Sequence, residues 1–194
     1  MTNNSEIGQA LQKLIEGNKR FTLSKQSRPN QNKERRQELA KGQKPFAVIV
    51  GCSDSRVPPE IIFDQGLGDL FVIRVAGNIV DDVGLGSIEY AVDHLGTQLI
   101  VVLGHSKCGA VTAALQGGTP HGHVGNIMEA IKPAIDVAKD LPGNLTDNTI
   151  KANARLVASQ IQSSQPILSE LAHLDRIAIV SAYYDIENGE VHIL

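Results

Sequence analysis

Four runs of apolar residues punctuate the chain, at 46–50, 70–75, 99–103 and 177–180, and they are continuous rather than alternating with polar positions. Continuous apolarity suits strands buried on both faces, as in a parallel sheet. Between the runs, residues 58–64, 84–95 and 109–116 read as helices; in the second, Leu85, Ile88, Ala91, Val92 and Leu95 recur at helical spacing. This β-α-β-α-β-α order predicts an α/β fold: a mostly parallel open sheet with helices on both faces. A longer helical insertion is expected at 125–139 and 147–163, with Pro133 as a kink. Beyond the last run, Asn188-Gly189 predicts a hairpin that returns residues 190–193 as an antiparallel C-terminal edge strand.

The N-terminal stretch is patterned differently. Ile7, Ala10, Leu11, Leu14 and Ile15 define an amphipathic helix over 5–16, with Gly17 as its stop. A second, highly charged helix is expected over 31–41, ending at Gly42, so that residues 1–42 form a helical arm on a single domain spanning 1–194. With 194 residues, one such domain buries a sizeable core without disulfide or metal staples. The 18 basic and 21 acidic residues are interspersed, giving a net charge of −3 and no basic block of the kind that recruits nucleic acid. No signal-peptide core and no membrane-length apolar run is visible, so a cytoplasmic, membrane-free protein is expected. Two cysteines in a reducing compartment point to metal or redox chemistry rather than a disulfide.

Both cysteines lie in short polar clusters that directly follow the first and third apolar runs: Cys52-Ser-Asp54-Ser-Arg56 and His105-Ser-Lys-Cys108. Open parallel sheets place ligands at such strand ends. An extended backbone sends Cys52, Asp54 and Arg56 to one side, and a helical turn brings His105 and Cys108 together. Thiolate and imidazole donors suit Zn2+, and three of them leave a fourth position for water, substrate or Asp54. Arg56 can grip the Asp54 carboxylate through two hydrogen bonds and hold it off the metal, which makes the pair a gate. Either cluster alone is weak, since a His-x-x-Cys spacing arises by chance and a free cysteine at a strand end is more often buried packing. Two clusters that use every cysteine are a strong signal. A redox dithiol is the less favoured reading, because Cys52 and Cys108 do not form a Cys-x-x-Cys motif.

The segments GCSDSRVPPE at 51–60, DLFVIRVAGN at 69–78, GSIEYAV at 86–92 and GHSKCGAV at 104–111 resemble those of β-class carbonic anhydrases, and the similarity runs from about residue 6 to the C-terminus. The resemblance implies zinc on Cys52, His105 and Cys108, and reversible hydration of CO2 to bicarbonate by zinc-bound hydroxide, oriented by a catalytic Asp54–Arg56 dyad. It also implies substrate contacts from Gln43 and an apolar pocket lined by Phe71, Ala76, Gly77, Asn78 and Tyr90, shared across the interface of a homodimer or tetramer whose N-terminal arms wrap the partner. On the residues alone, Gln43 is an ordinary loop residue and Phe71 and Tyr90 are core aromatics. Bicarbonate-inhibited members of that class carry tryptophan where this chain has Ile49, and use it with an arginine and a tyrosine, here Arg74 and Tyr184. Without that wall the site is expected to stay open near neutral pH, with Asp54 paired to Arg56. His121 and His123 are conceivable proton shuttles or a secondary metal site but read more simply as loop histidines, and His94 suits the C-terminal dipole of its helix. Two alternatives share the framework: a carbon disulfide hydrolase, and an inactive zinc-binding scaffold.

Overall fold

The computed structural model describes residues 3–120 and 122–194. In chain order the elements are α1 (Asn3–Thr22), α2 (Lys33–Leu39), β1 (Ala47–Gly51), α3 (Pro59–Ile62), β2 (Leu70–Arg74), α4 (Asp82–Asp93), β3 (Leu99–His105), α5 (Gly109–Gln116), α6 (Val124–Ala138), α7 (Leu145–Ser163), α8 (Ile167–His173), β4 (Ala178–Tyr184) and β5 (Val191–Ile193). A three-residue 3₁₀ turn, Ala76–Asn78, follows β2. The strands form one sheet in the order β2-β1-β3-β4-β5, with the first four parallel and β5 antiparallel at the edge.

Strand periodicity divides the core in two. Ala47, Ile49, Leu99, Val101 and Leu103 face one side, with Leu14 of α1, Val111 of α5 and Ile131 of α6. Val48, Val50, Ile100 and Val102 face the other, with Ile88 of α4, Val157 and Ile161 of α7 and Leu168 of α8. Burial of both faces is what the unbroken apolar runs require.

The differences from the sequence reading have identifiable causes. Gly17 does not stop α1, which continues to Thr22; a Cβ on Gly17 would lie 1.8 Å from the Phe63 carbonyl oxygen, so the glycine permits helix-to-backbone contact. The apolar side of α1 is covered in part within the chain, with Leu14 buried beside Phe63 and Val101 while Ile15 stays exposed. The charged helix is shorter than expected because Asn32 caps it, accepting a 2.9 Å bond from the Arg35 amide. Pro133 lies inside α6, where a kink was expected. The fourth apolar run continues as β4 to Tyr184, four residues further than expected, and α8 was not foreseen. The Asn188-Gly189 turn lies within a six-residue connection, 185–190, closed by a bond from the Asp185 amide to the Glu190 carbonyl at 2.9 Å.

Asn18, buried on α1, ties the two ends of the chain together. Its amide nitrogen donates to the carbonyls of Ile62 (3.2 Å) and Gly189 (2.8 Å), and its oxygen accepts from the Val191 amide (2.9 Å). Two buried carboxylates hold the segment after α1. Asp64 accepts from Arg20 Nε (2.6 Å), the Ser27 amide and hydroxyl (2.9 Å each) and the Arg28 amide (2.9 Å). Asp69 accepts from Asn30 Nδ2 (2.8 and 2.9 Å) and the Gly66 amide (2.8 Å).

Burial alone would raise the pKa of Asp64, but the Arg20 side chain and the donors of Ser27 and Arg28 outweigh it and hold the group down to about 2. A depressed carboxylate stabilises the fold above its unfolded pKa of about 3.9 and loses that contribution as pH falls towards about 2. Asp64→Asn is therefore expected to lower stability at pH 7 by about 2–4 kcal/mol. In a urea series the gap between variant and wild type should narrow below about pH 4; a gap independent of pH would show that the charge of Asp64 is not what holds the segment.

Candidate metal centre and the loops that hold it

Cys52 directly follows β1, His105 ends β3, and Cys108 sits at the N-cap of α5. β1 and β3 are parallel neighbours, with Gly51 opposite Leu103, so both clusters emerge at the same edge of the sheet. Between these two strands the chain has visited β2 on the far side of β1 and crossed back, which makes this a topological switch point of the kind where open α/β sheets form clefts.

The two sulfur atoms and a ring nitrogen of His105 lie within 4.8 Å of one another, and all three residues are buried. His105 Nδ1 is 2.9 Å from the Ser106 carbonyl oxygen, a contact that requires the proton on Nδ1 and leaves a lone pair on Nε2. Nε2 is buried with no hydrogen-bond partner. A lone pair orphaned between two thiol sulfurs fits a metal ligand with its tautomer set by a carbonyl, and the donor set fits zinc.

The sulfurs differ in their surroundings. Cys52 Sγ accepts from the backbone amides of Gly77 (3.3 Å) and Asp54 (3.4 Å). Its pKa is brought down to about 4, first by a hydrogen bond with Cys108, against burial, and then by His105 and the two amides. Cys108 is pushed up by the same neighbour and by burial, since two adjacent thiols do not both ionise without a cation between them. A divalent ion on the three donors removes that conflict.

Beside this cluster, the Asp54 carboxylate is gripped at both oxygens. Oδ1 accepts from Arg56 Nε (2.9 Å) and the Arg56 amide (3.0 Å), and Oδ2 accepts from Nη2 (2.7 Å). The Arg56 guanidinium holds its pKa well below the usual carboxylate range. Oδ2 is 4.0 Å from His105 Nε2, so the carboxylate borders the cluster while bound to arginine. Arg56 Nη2 also donates to the Lys107 carbonyl (3.1 Å), linking the two loops. From β2, Arg74 donates to the carbonyls of Cys52 (2.9 Å) and Asp54 (2.6 Å), so its guanidinium clamps the Cys52 loop. Lys107, in left-handed conformation, pairs with Glu187 at 2.6 Å.

Of the residues singled out from sequence, Cys52, Asp54, Arg56, Gly77, His105 and Cys108 come together at this edge, along with the turn that contains Ala76 and Asn78. Asn78 is buried, and its side-chain nitrogen lacks a partner. Gln43, Phe71 and Tyr90 do not join them within one chain. Gln43 precedes β1 and is exposed, whereas Cys52 follows it, so they flank opposite ends of a five-residue strand. Phe71 and Tyr90 meet with ring centroids 6.3 Å apart, and Phe71 packs on the core face opposite that of the two cysteines. Ile49 is buried in the sheet. His94 is exposed beside Asp93 at the end of α4, and His123 is exposed at the start of α6; His121 lies outside the described residues. Among the described residues no helix is long and apolar enough to cross a membrane. Sequence reasoning missed Asn153, a buried asparagine on α7 that donates to the Gly77 carbonyl at 2.8 Å. Its position between Ile150 and Val157, on an otherwise apolar stripe, was the available signal.

Residues 47–191 match the family described as carbonic anhydrase. The chain is 43% identical over 180 residues to carbonic anhydrase 2 of Mycobacterium tuberculosis, covering 91% of this chain and 87% of the relative. It is 40% identical over 194 residues to a carbonic anhydrase of Mycolicibacterium smegmatis, covering 98% and 94%. Among solved structures it resembles a β-carbonic anhydrase from Sordaria macrospora described as tetrameric, with a TM-score of 0.75 and 29% identity over 81% of this chain and 84% of that one.

Proposed function

Because this chain belongs to the carbonic anhydrase family, in its β class, we propose that it hydrates CO2 reversibly to bicarbonate and a proton on zinc held by Cys52, His105 and Cys108, with Asp54 and Arg56 as the catalytic dyad. The observation that carries this reading is the buried, partnerless Nε2 of His105 between two sulfurs, with an arginine-bound carboxylate at its border. Zinc on these donors supplies Lewis acidity, lowering the cost of drawing a proton from water.

The remaining chemistry falls to the chain itself. Asp54, kept ionised by Arg56, accepts a hydrogen bond from the attacking water and points its lone pair at the carbon of CO2. Arg56 stops the carboxylate from becoming a further metal ligand. Oxygen adds to carbon as one C=O bond opens, the charge comes to rest on the bicarbonate oxygens, and the proton leaves to solvent. CO2 has no net dipole and needs a dry wall, which we assign to Ala76, Gly77 and Asn78 of one subunit with Phe71 and Tyr90 across the interface. Gln43 cannot reach the metal centre of its own chain, which favours a homodimer in which a second copy supplies it to the substrate oxygen. Free thiolate donors suit a reducing compartment such as the cytoplasm.

Stopped-flow CO2 hydration by zinc-loaded protein tests the activity; full zinc content with no hydration would overturn it. Complementation tests the shared site. Asp54→Asn and Gln43→Ala, each impaired alone, should regain about a quarter of wild-type activity when mixed and allowed to exchange subunits, because half the dimers then hold one intact site. No recovery in verified mixed dimers would show that Gln43 does not act across the subunit interface.

A further inference from the structure

We infer that Asn153 is a positioning residue for the metal centre, acting on the Cys52 sulfur through Gly77; this rests on the zinc reading above. Asn153 is buried on α7, and its Nδ2 donates to the Gly77 carbonyl at 2.8 Å. On its other side Gly77 donates its amide to Cys52 Sγ at 3.3 Å. Gly77 has φ 72°, in the left-handed region that favours glycine. A Cβ there would lie 2.9 Å from Ile131 Cδ1 and 3.3 Å from Ala110 Cβ, so the turn is wedged between α6 and α5. Packing limits where Gly77 sits, and the Asn153 bond limits how its peptide planes rotate. Together they aim one N–H at one sulfur.

An N–H directed at a thiolate sulfur withdraws charge from it, which reduces electron donation to a bound cation. Two thiolates already neutralise the charge of a divalent ion, so easing their donation restores some of its Lewis acidity. Asn153 therefore does from α7, a hundred residues further along the chain, what an outer hydrogen-bond partner does for a metal ligand. A purely structural role for this asparagine would affect folding stability but leave the sulfur unchanged.

The test uses full-length protein loaded with cobalt(II), whose thiolate-to-metal charge-transfer absorption reports electron density on sulfur, alongside competition measurements of zinc affinity. Asn153→Leu keeps the side-chain size and removes the donor, and Asn153→Ala serves if leucine disturbs folding. Val157→Ala, a truncation in the core face of the same helix, is the control for destabilisation alone. The expected result is a charge-transfer band at longer wavelength in both Asn153 variants, with Val157→Ala superimposing on wild type. Asn153 variants that bind both ions and keep the wild-type band would overturn the inference while leaving the metal centre intact. Wild-type protein that binds neither ion would overturn the metal reading and this inference with it.

Discussion

Asp54→Asn is expected to lower CO2 hydration about a hundred- to a thousandfold, the range usual for a lost acid–base partner, while zinc content stays at the wild-type level. The amide is isosteric with the carboxylate but presents an NH2 group where an acceptor is needed, and it no longer attracts the guanidinium held at 2.7–2.9 Å. Arg56→Ala should fail for a different reason. It leaves the carboxylate intact but releases it, with Oδ2 already 4.0 Å from His105 Nε2, to occupy the position that water needs. Arg56→Lys should not restore activity, because an ammonium cannot grip both oxygens in one plane. Since arginine holds the Asp54 pKa well below the ordinary carboxylate range, protonation of Asp54 does not set the acid limb of the rate profile. Activity of Asp54→Asn within threefold of wild type would sink the dyad.

Removing the metal should have a still larger effect on rate and a limited one on fold. His105→Ala, or chelation of the wild type, is expected to abolish hydration by more than about a thousandfold, with activity returning to chelated protein when zinc is restored. The ligands sit at the ends of β1 and β3, whose apolar residues are buried on both faces without reference to the site. The stripped protein should therefore keep its far-UV circular dichroism and lose roughly 10 °C in Tm, as expected for release of a ligand present at about a thousandfold over its Kd. Loss of the folded signal on chelation would instead make the ion a scaffold.

The legible parts of the molecule were those whose physics is local. Runs such as Leu99–Leu103 announce two-sided burial without reference to any partner, and a cysteine two residues before Asp54 announces the geometry of one loop. The illegible parts depend on contacts far along the chain. Gly17 looked like a helix stop because a glycine's local cost is visible, whereas the Phe63 carbonyl pressing against it is not. Arg74 drew notice by position alone, and nothing local foretold that its Nε and Nη2 donate to the carbonyls of Cys52 and Asp54. Asn153 and Gly77 are 76 residues apart, and no spacing rule links them. The chain alone also left Gln43 beside the site by family resemblance; the sheet puts it at the wrong end of β1 and so transfers the question to a second subunit.

The Asn18 junction has a consequence for how the protein is made. Its partners Gly189 and Val191 lie 171 and 173 residues downstream. During synthesis α1 leaves the ribosome well before residues 189–191, and until they follow its buried amide has only the Ile62 carbonyl to bond. By then Cys52, His105 and Cys108 have all been translated, so the ligand set is available before the chain is closed. A chain cut short before β5 would leave α1 without that anchor.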